Sequence, residues 1–238
     1  MGKDKLRRFE ENKQFAALYQ PEFEEVFRKE YKMKGRWNKE HFGNDNPIVL
    51  ELGCGRGEYT VEMARNFPNK NFIGVDIKGA RMWRGAKSVT EESINNAAFF
   101  RCRIEFAESA FASEEVSEIW ITFPDPQPKK STKRLTSSFY INRYRNFMKK
   151  GAIIHLKTDS AFLHEYTLEL IKHNGLELIE ACSDIYGTGR ADKLLSIKTH
   201  YEKQFLSQGI PITYLAFKIG EVPLEEPHTS EDLEEKEV

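Results

Sequence analysis

Cysteine is scarce in this chain, with only Cys54, Cys102 and Cys182 among 238 residues. The number is odd, and none of the three is spaced from another cysteine or a histidine as structural zinc requires, so neither a disulfide scaffold nor a zinc module can be what holds the fold together. No metal is expected. Free thiols fit a reducing compartment, and a cytoplasmic location is the expectation. Long apolar runs are missing as well. No stretch approaches the roughly 18 consecutive apolar residues of a membrane span, and the start MGKDKLRRFEENK lacks the apolar centre of a secretory signal, so no membrane partner is expected. A strong bias of charge is absent too, since 36 bases nearly balance 37 acids.

That balance hides an asymmetry. Residues 221–238 hold eight acids and one lysine, a net −7, so a chain of net charge −1 leaves +6 on residues 1–220. The acidic stretch EVPLEEPHTSEDLEEKEV has two prolines and few apolar residues, and is expected to be a disordered tail. Everything before it is mildly basic.

With 39% hydrophobic residues, the chain can build one α/β domain with a real core. Apolar runs that read as buried strands are IVLEL (48–52), NFIGVD (71–76), AAFFRC (97–102), EIWITF (118–123) and AIIHLK (152–157). Helix-like segments at about 57–67, 79–94, 136–150 and 160–174 lie between and after them. LELIEACS (176–183) and ITYLAFKI (212–219) add two strands, with the helix-like HYEKQFLSQG between. The alternation predicts an α/β fold: a mostly parallel, seven-stranded sheet with helices on both faces. Residues 47–220 form this domain, and residues 1–46, with aromatics scattered among charges, are expected to be an N-terminal helical arm.

Ligands of such sheets bind beyond the carboxyl ends of the strands, so the residues where each strand stops carry the functional argument. The first strand ends in Glu51-Leu52-Gly53-Cys54-Gly55-Arg56-Gly57 before a helix. Glycines there permit a sharp turn and close approach of a ligand to backbone. A dinucleotide fingerprint needs glycine at position 58, where this chain has Glu58, which counts against a dehydrogenase. The spacing, with Glu51 ahead of the loop, resembles motif I of the class I S-adenosylmethionine-dependent methyltransferases, whose cofactor carries an ammonium and a sulfonium that an acid suits. Cys54 reads as a small side chain packed among glycines, because no base stands beside it. The second strand ends at Asp76, placed to accept hydrogen bonds from ribose hydroxyls.

The fourth strand runs into Pro124-Asp125-Pro126-Gln127-Pro128-Lys129-Lys130. Prolines restrict the backbone around Asp125, so this carboxylate is held at the edge. From Lys129 to Lys150 there are eight bases and no acid. Solvated helix faces usually mix signs, so an acid-free run beside a fixed carboxylate suggests phosphate contacts. His155, inside a presumed central strand, reads as a packed core histidine.

Taken together, ELGCGRG, FPDPQPKK, KTD (157–159) and THYE (199–202) resemble the bacterial tRNA (guanine-N7-)-methyltransferase family over roughly residues 47–219. The resemblance implies a Rossmann-like methyltransferase fold, S-adenosyl-L-methionine as cofactor, and tRNA as partner, methylated at N7 of the variable-loop guanine at position 46. Carried over motif by motif, Glu51, Gly53, Gly55, Gly57, Asp76 and Asp125 line the cofactor site, and Asp125 is also the catalytic residue. Lys129, Asp159, Thr199 and Glu202 contact the substrate, while Ser131, Lys133, Arg134 and Thr136 touch RNA. The chain departs from the family at Gln127, where members often have tryptophan. After the third strand it has Arg103-Ile104 where many members place Asp or Asn followed by Ala, so Arg103 is carried over as a cofactor-site position. Two rival readings remain. Methyltransferases acting on an exocyclic amine usually carry Asn or Asp before two prolines and an aromatic, unlike PDPQP, and a tRNA-binding module without catalysis sits poorly with Glu51, Asp76 and Asp125 all present.

Overall fold

Eight strands form one sheet in the computed structural model, which describes residues 2–227. In chain order the elements are α1 (Gly2–Asn12), β1 (Leu18–Tyr19), α2 (Phe23–Val26), β2 (Ile48–Leu52), α3 (Glu58–Asn66), β3 (Asn71–Asp76), α4 (Gly79–Glu91), β4 (Ala97–Arg101), β5 (Val116–Thr122), α5 (Ser138–Tyr144), β6 (Met148–Thr158), α6 (Ala161–His173), β7 (Leu178–Cys182), α7 (His200–Ser207) and β8 (Thr213–Lys218). The strand order is β1-β4-β3-β2-β5-β6-β8-β7. All pairings from β1 to β6 are parallel, and only β8 runs against its neighbours β6 and β7. The expected mostly parallel α/β sheet is therefore present. The order reverses at β2, and chain direction places the carboxyl ends of β2, β3, β5 and β6 along one edge, the position where such sheets take ligands.

Side chains alternate across the sheet. Ile48, Leu50 and Leu52 face one core layer with Tyr140 and Ile141 of α5 and Leu163 and Leu170 of α6. Val49 faces the other, with Tyr59 and Val61 of α3 and Met82 and Ala86 of α4. This period of two sends Glu51 toward α3, and that is why its carboxylate meets the start of that helix. His155 stacks on Trp120 with ring centroids 4.0 Å apart, and its Nδ1 shares a 2.8 Å hydrogen bond with the Tyr214 hydroxyl. It is a packed core residue, as the strand position predicts.

Three details differ from expectation. The sheet has eight strands rather than seven, because Leu18 and Tyr19 pair in parallel with Phe99 and Phe100. The first 46 residues are thus more than a helical arm, and Trp37 is wholly buried, with its Nε1 donating to the Ala110 carbonyl at 2.8 Å and its ring stacked on Phe111. The helix expected at 136–150 stops at Tyr144, and from Met148 the chain is already β6, paired with Val116 of β5. Finally, the start of the acidic tail is seated. Asn142 exchanges two hydrogen bonds with Leu224, Asn174 exchanges two with Glu225, and Glu226 accepts from Ser138 and the Tyr166 hydroxyl. The disorder expected from residue 221 does not hold as far as Pro227, and residues 228–238 lie outside the described residues. No helix among the described residues is long and apolar enough to cross a membrane.

Candidate active site

Beyond the carboxyl ends of β2, β3, β5 and β6 lies a cavity of about 410 Å3, lined by Glu51, Gly53, Gly55, Asp76, Asp125, Asp159 and Thr199 among others. Four strand-end carboxylates, far apart in the sequence, share one space. A larger cavity, about 700 Å3, opens elsewhere between Val26–Lys34 and Glu105–Phe111 and receives none of them.

One half of the site is locked by internal hydrogen bonds. Gly53, Gly55 and Gly57 all have positive φ, between 54° and 77°, a region side chains disfavour. At Gly57 space is lacking too, because an added Cβ would come within 2.4 Å of the Phe99 ring. Asp76 stitches this loop to β3, accepting from the Gly55 amide at 2.9 Å and the Lys78 amide at 2.8 Å. Glu51 is buried, and its carboxylate accepts from the Thr60 amide at 2.9 Å, from the Thr60 hydroxyl, and from the Thr122 hydroxyl at 2.6 Å. Burial pushes its carboxyl up to about 7 despite these donors. Burial also raises the Cys54 thiol, with the carboxylates of Asp76 and Glu51 adding to the effect, so it stays protonated and unreactive.

The other half is open. The loop after β5 turns through Phe123 and Gln127, both at positive φ (49° and 47°), with prolines at 124, 126 and 128. Such backbone persists only where its surroundings over-determine it. The Phe123 amide donates to Lys157 O at 2.9 Å and its ring stacks on Phe205. From behind, Arg134 donates Nε to the Gln127 carbonyl at 3.2 Å and Nη2 to the Pro128 carbonyl at 2.8 Å, while its guanidinium lies 4.2 Å from the Tyr166 ring centre. Asp125 itself is exposed and accepts only a long bond from the Gln127 amide, 3.3 Å. Burial raises the carboxyl of Asp159.

Beneath this half is a buried ion pair. Lys157 and Glu202 are both fully buried, and the ammonium donates to the carbonyls of Leu195 (2.7 Å) and Ile197 (2.9 Å) and to the Glu202 carboxylate (2.9 Å). Burial pulls the Lys157 ammonium down to about 8, against the pull of the Glu202 carboxylate. Thr199 and Glu202 also form a capping box at the start of α7. The pair anchors the segment that brings Thr199 into the cavity.

Several expected positions change role on this geometry. Glu202 does not reach the cavity, because Lys157, Tyr186 and the capping box occupy its carboxylate. Arg134 is buried as a support for the Asp125 loop, and Thr136, wholly buried, pairs its hydroxyl with Thr167 at 2.8 Å. Neither presents a side chain to RNA. Arg103 is exposed but outside the cavity lining, since the chain turns away into a 3-10 segment at Ile104. The acid-free run is not one face. Lys129, Lys130 and Lys133 are exposed beside the loop and Ser131 is partly exposed, but Arg143 meets Glu108 and Arg145 binds the carbonyls of Gly220 and Glu221. Lys149 and Lys150 start β6, about 25 Å of strand away from the ligand edge at ~3.3 Å per residue. Tyr201, within the expected 199–202 segment, lines the cavity, and lining residues that sequence reasoning missed include Arg56, Lys78, Arg81 and Phe205.

A family model described as "Putative methyltransferase" matches residues 45–215. The tRNA (guanine-N(7)-)-methyltransferase of Christiangramia forsetii is 56% identical over 221 residues, covering 92% of this chain and 99% of that protein. The chain belongs to the tRNA (guanine-N(7)-)-methyltransferase family. The enzyme of that name from Bacteroides thetaiotaomicron is 49% identical, covering 98% of this chain and 93% of its own. Among solved structures, the 16S rRNA methyltransferase KamB matches with a TM-score of 0.59 at 15% identity, over 76% of this chain and 92% of that one, a likeness of fold.

Proposed function

We propose that this chain transfers a methyl group from S-adenosyl-L-methionine to N7 of a guanine in tRNA, and that the guanine is the variable-loop one at position 46. The observation that carries the reading is the convergence of Glu51, Asp76, Asp125 and Asp159 on one cavity in a chain of this family. The cavity suits a cationic adenosyl ligand: its floor carries a buried carboxylate, its glycine loop exposes backbone, and Asp76 retains acceptor capacity for ribose hydroxyls beyond the two bonds it makes. Gly57 shapes the loop against Phe99.

S-adenosyl-L-methionine supplies a methyl group made electrophilic by its sulfonium. Guanine N7 has an in-plane lone pair and no proton, so the protein needs no general base and contributes alignment and electrostatics. Asp125 is the catalytic residue in this reading. Its free carboxylate holds the guanine N1 and amino hydrogens and favours the positive charge that develops on the ring. Asp159 and Thr199 line the same space for the nucleotide, while Lys129, Ser131 and Lys133 meet phosphates beside it. Glu202 and Arg134 act from behind, as positioning residues.

The test is to incubate the protein with labelled S-adenosyl-L-methionine and unmodified tRNA, then identify the nucleoside by mass spectrometry. The expected product is 7-methylguanosine, lost when the guanine at position 46 is replaced. Appearance of 1-methylguanosine or 6-methyladenosine overturns the reaction, and methylation that survives the replacement overturns the position.

A further inference from the structure

Across the glycine loop from Asp125, a second cavity of about 570 Å3 adjoins the first, and the two share Arg56, Glu58, Arg81 and Tyr201. The remaining walls are Arg8 from α1, and Trp83 and Arg84 from α4. Arginines from three separate stretches of chain thus meet in one groove, with Arg81 and Arg84 three apart on one face of α4.

Four arginines outnumber the one carboxylate of this groove. Among the described residues, none of Arg8, Arg56, Arg81 or Arg84 forms an ion pair, whereas Arg7 pairs with Glu11, Arg36 with Glu40, Arg65 with Glu92 and Arg190 with Glu180; Arg28 and Arg103 are also unpaired but lie outside the groove. The single carboxylate in the groove, Glu58, accepts from the His200 amide at 2.8 Å. Arg8 carries a buried Nε with no partner. Its guanidinium lies 4.9 Å from the Trp83 ring centre, and that of Arg81 lies 5.9 Å from Tyr201, so aromatic faces help to set their planes. The wall is firm: Trp83 Nε1 donates to Glu11 at 2.5 Å, and Asn12 donates to the Gly79 carbonyl at 3.0 Å, tying α1 to α4.

We propose that this groove binds the phosphodiester backbone of the tRNA on the β3 side of the site, opposite Lys129, Lys130 and Lys133 on the β5 side. Planar guanidinium forks match phosphate oxygens, and four of them against a single carboxylate form a face for a polyanion rather than for a single small anion. The strand order supports the two-sided grip, because β3 and β5 flank β2, whose glycine loop lies between the two basic groups. This inference rests on the tRNA reading above.

The test measures tRNA affinity against salt concentration for the parent, Arg84→Ala, and Arg8→Ala with Arg84→Ala, using an unmodified tRNA transcript. Each lost phosphate contact should lower the log-log salt slope by about 0.7–0.9, and Arg84→Lys should retain the parent slope. Cofactor affinity, measured with S-adenosyl-L-methionine alone, should equal the parent's. Arg84 is exposed and contacts no acid, so the single variant decides the matter even if loss of Arg8 loosens α1. A parent-like slope in Arg84→Ala overturns the proposal, as does weakened cofactor binding with an unchanged slope, which would assign the arginines to the cofactor's carboxylate. Binding is read separately from methyl transfer, so a parent protein that binds tRNA through these arginines but forms no 7-methylguanosine would sink the reaction and leave the groove standing.

Discussion

Around Glu51 and Asp76 both oxygens of each carboxylate are already engaged, by amides and hydroxyls of the glycine loop, α3, the turn after β3, and β5. Around Asp125 and Asp159, across the same cavity, the first meets one long bond and the second accepts none from another residue among the described residues. The contrast separates two kinds of preparation. The first half is held in place before any ligand arrives, so it suits a cofactor that is the same molecule in every turnover. The second half keeps its acceptors free on a strained loop propped from behind, which suits a base that must be delivered by a large RNA.

The strongest way to break this comparison is to exchange the two kinds of loss. Asp125→Asn keeps size but removes charge where the guanine becomes cationic, so kcat should fall on the order of 10²-fold while tRNA affinity survives. Asp76→Ala removes contacts made equally before and during transfer, so it should raise the cofactor KM about tenfold with little change in kcat. Steady-state kinetics on both variants decides it. An Asp125→Asn enzyme that turns over at the parent rate but binds cofactor poorly would reduce Asp125 to a cofactor ligand.

A smaller effect sharpens the account of the loop. Arg134→Ala should lower kcat by roughly tenfold through a looser Asp125, comparable to losing about one net hydrogen bond, while leaving the salt slope of tRNA binding unchanged. Arg134→Lys should not rescue it, since one ammonium cannot reproduce a fork across two carbonyls. A reduced salt slope would return Arg134 to the RNA surface.

The least conspicuous test is of protons. With its carboxyl raised to about 7 from an ordinary 4.5, Glu51 holds a proton in the folded chain between those pH values that the unfolded chain has released. Stability from this group therefore declines as pH rises from about 4.5 to about 7. A cationic ligand favours the ionised form, so cofactor binding at pH 6.5 should release protons. Titration calorimetry in two buffers of different ionisation enthalpy should show it, and Glu51→Gln should abolish the difference.

Much of the sheet and of the site is legible in the sequence alone. The apolar runs at 48–52 and 71–76 match β2 and β3 residue for residue, and the strand-end rule collects Glu51, Asp76, Asp125 and Asp159 because parallel strands end at one edge. What escapes is whatever depends on distant partners. Nothing local distinguishes Arg134 from Lys133, yet one is buried against Tyr166 and the other exposed. The Lys157–Glu202 pair spans 45 residues, and the capping spacing of Thr199 and Glu202 hints only at the helix start. Leu18 and Tyr19 are too short a run to announce a strand.

The seating of Leu224–Glu226 has a practical consequence for anyone shortening the chain or attaching a tag. Glu226 binds the hydroxyl of Tyr166, whose ring supports Arg134, which in turn holds the carbonyls of Gln127 and Pro128 two and three residues beyond Asp125. Cutting at Gly220 therefore removes a buttress of the loop together with the acids, and should lower both melting temperature and turnover. Cutting after Pro227 removes five of the eight acids and leaves that relay whole, so only the second boundary separates loss of charge from loss of the buttress. The segment Leu224–Glu226 is, in engineering terms, a foundation of the active site.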